Sequence, residues 1–267
     1  MKKTLAQVLS ERRALGRAGF VPFLVAGDPS PKATLAAARE LARAGADILE
    51  IGVPFSDPVA DGPVIQAAGG RSLSRGMSIS RALDLVGDIV RAEGLPAIVF
   101  TYLNPVLSLG KDEFARRCAR AGAAGALVVD LPAEDAAPLS RALGRRGVDL
   151  VLLASPTTTD ARLRLIGRLS GSIVYYVSRE GVTGARADLA PGLARRLERV
   201  RRLAGKPLIV GFGVADGAQA RALAPHSDGV VVGSALVAAA AKAGASRAPR
   251  AVGALARRLV RALEVAC

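Results

Sequence analysis

Eight short runs of apolar, largely β-branched residues recur along the chain, each continuous rather than alternating: FVPFLVA at 20–26, ILEI at 48–51, AIVFT at 97–101, ALVVD at 126–130, DLVLLA at 149–154, SIVYYV at 172–177, PLIVGF at 207–212 and GVVVG at 229–233. A strand that is apolar on both faces needs cover on both, which is the pattern of a parallel sheet wrapped in helices. Between the runs lie helical patterns rich in Ala, Leu and Arg, such as 31–46 and 131–147. Gly45, Gly94, Gly147 and Gly205 stand where such helices should close before the next strand. Eight β/α units in 267 residues predict a (β/α)8 TIM barrel, one domain over 1–267. An extra N-terminal helix (4–16) would cap its bottom, and an extra C-terminal helix (250–265) would complete the outer ring. A doubly wound open sheet is the alternative; no GxGxxG or GxxxxGK follows the first run, which counts against it.

Composition narrows the chemistry. Lys+Arg number 37 against 23 Asp+Glu, a net charge of +14, and lysine occupies only positions 2, 3, 32, 111, 206 and 242. The arginines are spread along the chain and aromatics make up only 3%, so the interleaved basic–aromatic pattern of a nucleic-acid binder is absent. In the densest run, 193–206, Leu193, Leu197, Val200 and Leu203 keep helical spacing, which makes the arginines a solvated face. Two cysteines, Cys118 and Cys267, cannot form a disulfide framework, and with the single His226 they make neither a conventional zinc site nor a Ser-His-Asp triad. MKKTLAQVLSERR lacks the apolar stretch of a secretory signal, and no run reaches membrane-spanning length, so the expected location is the cytoplasm.

The spacing of the runs points to the site. Most strand starts lie 22 to 29 residues apart, but the interval from 48 to 97 is 49 and that from 173 to 207 is 34. The excess follows strands two and six, on the C-terminal face where barrels carry their chemistry. Glu50 lies inside strand two, between Leu49 and Ile51, and no run contains Lys or Arg to pair with it. Desolvation should raise its pKa toward neutrality, as a general acid/base requires; the alternative is a structural carboxylate satisfied by hydroxyls such as those of Tyr102 or Tyr175. The loop GVPFSDPVADGPVIQAA (52–68) adds Asp57 and Asp61 among Pro54, Pro58 and Pro63, a stiff acidic segment that could set a second carboxylate opposite Glu50, or plain turn chemistry. Glycine turns at 178–186, 211–217 and 231–237 follow the last three strands, where barrels cradle phosphate; glycine serving the turns alone is the other reading. No lysine is expected in or after a strand on the catalytic face, Lys206 preceding strand seven, and no ligand cluster suggests a metal. The reading left is carboxylate catalysis, without metal or lysine, on a small phosphorylated substrate.

The string LEIGVPFSDPVADGPVIQAA closely resembles the signature of the tryptophan synthase alpha chain family. The likeness continues through FVPFLVAGDPS at 20–30, TYLNPV at 101–106, LVVDLP at 127–132, SREGVTG at 178–184, and GFGV and VVGSA after the last two strands, in family order and spacing. It implies cleavage of indole-3-glycerol phosphate to indole and glyceraldehyde 3-phosphate, and a tryptophan synthase beta chain partner in an alpha2beta2 tetramer. No cofactor is implied in this chain; pyridoxal phosphate would sit on the partner. By resemblance, Glu50 is the acid/base and Asp61 the carboxylate that holds the indole N–H. Tyr175 stands beside Glu50, with Tyr176 pointing out of the barrel. Phe23, Phe100, Tyr102, Leu127 and Val129 line the indole pocket; Gly184, Gly213, Gly233 and Ser234 bind phosphate; Thr183 closes toward Asp61; and Asp57, Pro58 and Asn104 face the partner. Glu180 and the bulky Phe100 depart from the family pattern. A sugar-phosphate isomerase and a non-catalytic activating subunit are the alternatives; the Glu50-to-Asp61 string argues against the first, and intact Glu50, Asp61 and Thr183 against the second.

Overall fold

A computed structural model describes residues 3–177, 192–211 and 213–264. The eight strands among them are β1 (Gly19–Val25), β2 (Leu49–Gly52), β3 (Ala97–Thr101), β4 (Gly125–Val128), β5 (Asp149–Ala154), β6 (Val174–Val177), β7 (Leu208–Gly211) and β8 (Gly229–Val232). Each pairs in parallel with its neighbours, and β1 pairs β8 through Gly19↔Gly229, so the sheet is a closed barrel rather than an open one. Each strand alternates between two packed surfaces. Leu49, Ile51, Val99 and Tyr176 face the helices, whereas Phe23, Ile98, Leu127 and Tyr175 fill the interior, so Tyr176 points outward as expected.

The helices are α1 (Leu5–Ala14), α2 (Pro31–Ala44), α3 (Pro63–Ser74), α4 (Ile79–Glu93), α5 (Leu103–Leu109), α6 (Lys111–Ala121), α7 (Ala137–Gly144), α8 (Asp160–Leu169), α9 (Leu193–Ala204), α10 (Gly217–Leu223), α11 (Ser234–Ala243) and α12 (Ala248–Glu264). Thr4 and Gln7 form a capping box that starts α1, and Ser30 caps α2 ahead of Pro31. Leu5 and Leu9 of α1 are fully buried against Gly125, Gly19 and Gly229, sealing the N-terminal end of the barrel. At the same end the Asp47 carboxylate accepts from the Phe20 N–H at 2.8 Å and pairs with Arg12 and Arg17. α12 packs on α2, α10 and α11 and closes the outer ring.

Three local expectations change. The excess after β2 is not one long loop: residues 53–62 form a loop and α3 is an additional helix, nucleated by Pro63 at its first position. The helix expected over 131–147 divides into a 3₁₀ turn (Ala133–Asp135) and α7, and Gly147 is a positive-φ turn residue beyond α7 rather than its cap. Gly45, Gly94 and Gly205 do cap helices in the left-handed conformation. The excess after β6, with Glu180, Thr183 and Gly184, lies outside the described residues, as does Cys267.

Candidate active site

Glu50 projects from β2 into the barrel, in register with Phe23 on one side and Ile98 on the other. It is only 1% exposed, and its Oε1 has no hydrogen-bond partner among the described residues. The structural reading, a carboxylate satisfied by tyrosine hydroxyls, therefore fails for that oxygen. Burial first, and the nearby Asp61 charge second, push Glu50 up to about 8, so at neutral pH it carries a proton. Tyr175, on β6, is raised by burial and by Glu50. Its ring needs Gly211 on β7, where a Cβ would collide with the phenol.

Asp61 ends the loop after β2, just before α3. It is half-buried rather than fully solvated. Burial lifts it to about 6, against the opposing hydrogen bond from the Tyr102 hydroxyl. Tyr102, fully buried at the end of β3, also accepts from the Ala60 N–H at 3.1 Å, so it supports the loop from beneath. At pH 7 the two carboxyls thus differ, Glu50 mostly protonated and Asp61 mostly ionised.

Phe23, Glu50, Asp61, Phe100, Tyr175, Gly213, Gly233 and Ser234 line one cavity of about 340 Å³. Phe23 and Phe100 meet edge to face, 5.5 Å between ring centres, giving it an apolar wall. Next to Phe23, whose ring lies against Gly233, α11 begins at Ser234, so the free N–H groups of its first turn open into the cavity that Gly213 also lines and suit an anion. Gly62, Pro63, Val64, Ile65, Val214 and Val231 also line the cavity. Sequence reasoning marks only Pro63 among these, as a stiffener of the loop; Gly62, Val64 and Ile65 closely follow Asp61, Val214 adjoins Gly213, and Val231 lies two residues before Gly233.

Other expected residues fall elsewhere. Leu127 is buried in the barrel interior without bordering this cavity, and Tyr102 stands behind Asp61 rather than at its wall. Val129 lines a separate cavity with Ala60, Leu153 and Arg162. Asp57 and Asn104 are exposed at the rim and Pro58 is half-buried, next to Val59 and Leu107, which are 72% and 49% exposed. Lys32, in the first turn of α2, and Lys111, which opens α6 beyond α5, do come after β1 and β3, contrary to the expectation, but both are exposed and neither borders the cavity. Lys206 donates to the carbonyls of Ser170 and Gly171 at the opposite end. Among the described residues no group of three or more His, Cys, Asp or Glu could hold a metal, and no helix is long and apolar enough to cross a membrane.

A buried acid, a second carboxylate and an anion cradle around one apolar cavity have a counterpart among known proteins. The family profile described as tryptophan synthase alpha chain matches residues 9–264. The tryptophan synthase alpha chain of Phenylobacterium zucineum is 48% identical over 223 residues, 83% of this chain and 80% of its own. The solved tryptophan synthase subunit alpha of Legionella pneumophila superposes with a TM-score of 0.88 at 34% identity, covering 96% of this chain and 97% of that one. A chain of the tryptophan synthase α2β2 complex of Pyrococcus furiosus, whose structure concerns mutual activation, gives 0.86 at 34% identity, covering 92% and 98%. Agreement in sequence, in fold and along almost the full length leads to one conclusion: the chain belongs to the tryptophan synthase alpha chain family.

Proposed function

We propose that the chain cleaves indole-3-glycerol phosphate into indole and glyceraldehyde 3-phosphate, as a carbon–carbon lyase of L-tryptophan biosynthesis. The observation that carries the reading is Glu50, a neutral buried acid with an unpartnered oxygen, in a cavity that also holds Asp61 and a helix N-terminus. Indole is a poor leaving group until C3 is protonated. Glu50 gives its proton to C3, which leaves the positive charge on the ring nitrogen, where the ionised Asp61 accepts the N–H and stabilises it. The Glu50 carboxylate then takes the proton from the hydroxyl on the carbon bonded to C3. That alkoxide oxygen becomes the aldehyde, the C3–carbon bond breaks, and its electron pair restores the aromatic ring. Glu50 ends protonated, so no external acid or base is consumed. Ser234, Gly233, Gly213 and Gly184 would hold the phosphate and Thr183 would close toward Asp61, Gly184 and Thr183 lying outside the described residues.

The reading extends to a tryptophan synthase beta chain as partner in an α2β2 assembly in the cytoplasm, with Asp57, Pro58 and Asn104 at the docking rim. The alpha-type complex of P. furiosus supports the partner, and the exposed Val59 and Leu107 supply apolar surface beside those residues. Pyridoxal phosphate belongs to the partner in this scheme. The residues described around the cavity offer no lysine amine, so they do not fit a Schiff-base cofactor. The test is indole production from indole-3-glycerol phosphate by the purified chain, with and without the beta chain; no indole in either case refutes the proposal.

A further inference from the structure

The helix that carries Asp61 into place has little apolar surface to hold it. α3 buries only Ala68, Gly69 and Ser72, and its first residues, Gly62 to Val64, are exposed. It packs lightly on α11 and β1, with Ile65 and Ala68 against the barrel interior, and its polar anchors lie at the far end. Arg71 donates from Nε and Nη2 to the two carboxylate oxygens of Asp28, both at 2.8 Å, and the Asp28 side chain is 3% exposed. Next to it, the Ser72 hydroxyl donates to the Ala26 carbonyl at 2.5 Å. Both acceptors belong to the turn after β1. Gly27 in that turn has φ +83°, and a Cβ there would meet Met77 Cε and Ser72 Oγ at 2.6 Å, so the turn is shaped to receive the end of α3. Thr34 of α2 holds the turn in place through the Gly27 N–H at 3.1 Å and the Asp28 carbonyl at 3.3 Å.

At the near end, Gln66 Nε2 donates to the Asp61 carbonyl at 2.9 Å, and the Asp61 N–H donates to the Pro58 carbonyl at 3.0 Å. The Asp61 backbone therefore moves with the first turn of α3. A helix of 12 residues, about 18 Å long, is pinned to β1 at one end and presents a carboxylate at the other.

We infer that Arg71 is a positioning residue: its fork with Asp28 acts through α3 to set where the Asp61 carboxylate stands over the cavity. The inference rests on the reading of Asp61 as the group that holds the indole nitrogen. Arg71 does not border the cavity and so touches no substrate there. A planar bidentate pair fixes direction as well as distance, which lysine cannot reproduce. Without the fork, α3 can tilt about the Ser72 contact. Asp61 then leaves the Tyr102 hydroxyl and gains water, while Gly213 and Gly233 stay in the turns that follow β7 and β8. Displacements of about 1 Å at a reacting group cost up to about 10²-fold in rate.

The experiment uses Arg71→Met, Arg71→Lys, Asp28→Asn and the double variant Arg71→Met/Asp28→Asn, in the complex with beta chain. Three readouts are needed: kcat and KM for indole-3-glycerol phosphate, glycerol phosphate affinity by calorimetry, and the Asp61 carboxyl titration by ¹³C NMR. The groups facing Asp61 are Glu50 from β2 and Tyr102 from the end of β3, and all variants leave both intact. Arg71→Met should lower kcat about 10- to 100-fold, keep glycerol phosphate affinity within about threefold, and shift the Asp61 titration down from about 6 toward an ordinary carboxylate. Arg71→Lys should fall between Met and wild type, and the double variant should be no worse than either single one, as for two halves of one contact. Unchanged kcat and Asp61 titration in Arg71→Met and Asp28→Asn would overturn the inference. So would parallel losses of kcat and glycerol phosphate affinity, which mean general loosening. Absence of indole production by the wild type would refute the lyase reading instead, and the NMR titration would still decide the role of the fork.

Discussion

Replacing Glu50 by glutamine should make the protein more stable relative to wild type as pH rises. Glu50 is held at about 8 in the fold, against 4.5 for an unperturbed glutamate. A carboxyl with a raised folded pKa keeps its proton in the native state while the unfolded chain releases it, so between about 4.5 and 8 each rise in pH favours the unfolded chain. One unit of difference corresponds to about 1.4 kcal/mol, and the two values translate into a penalty that grows by about 4 kcal/mol between pH 5 and pH 9, nearly all of it in place by pH 8. Glutamine has almost the same shape and no ionised form, so it escapes this penalty. Asp61 titrates lower and is present in both proteins, so most of its contribution cancels in the comparison. Urea unfolding of both proteins at pH 5, 7 and 9, at equal protein concentration, reads the difference directly. A stability gap between wild type and Glu50→Gln that is the same at all three pH values would refute the reasoning, because it would mean that Glu50 is not kept neutral by its site.

The same substitution should abolish turnover by about 10²–10⁴-fold in a folded protein, since an amide cannot pass a proton; near-normal indole production would remove Glu50 from its role. Asp61→Asn should lose turnover while calorimetric affinity for glycerol phosphate stays largely intact, because the anion site lies at α11 and the β7 turn. The pH profile of kcat/KM should be a bell, falling below about 6 as Asp61 takes a proton and above about 8 as Glu50 loses its own. A flat profile from pH 7 to 9.5 would exclude Glu50 as the acid. Asp47→Ala should cost about 3–5 kcal/mol, because it strips a fully buried carboxylate from Arg12, Arg17 and the Phe20 N–H; thermal unfolding checks this, and a loss under about 1 kcal/mol would contradict it.

The barrel was legible because burial on both faces leaves a plain mark: runs such as AIVFT and DLVLLA coincide with β3 and β5 residue for residue. Glu50 stood out for the same reason, as a charge inside such a run. α3 was hidden because it buries little apolar surface and its start reads as a proline-rich loop; only Pro63 at its first position marks a helix. Asp28 and Arg71 lie 43 residues apart on unrelated elements, and no local pattern announces their pairing. Tyr102 shows the limit of reading position without direction: it lies on the expected strand end, but its hydroxyl turns beneath the loop to Ala60 and Asp61 instead of into the cavity wall.

Closure of the barrel also sets a schedule for synthesis. β1 hydrogen-bonds β8 through Gly19↔Gly229, so the first strand made meets one of its two neighbours only after another 210 residues have been added. At about 5–20 residues per second, the free edge of β1 waits roughly 10–40 s on the ribosome. During that interval a strand of wholly buried residues, FVPFLV among them, has β2 on one side and nothing on the other. The nascent chain is thus an open sheet with a sticky margin, and its last two strands and α12 act as the clasp that ends its exposure to chaperones and to neighbouring chains.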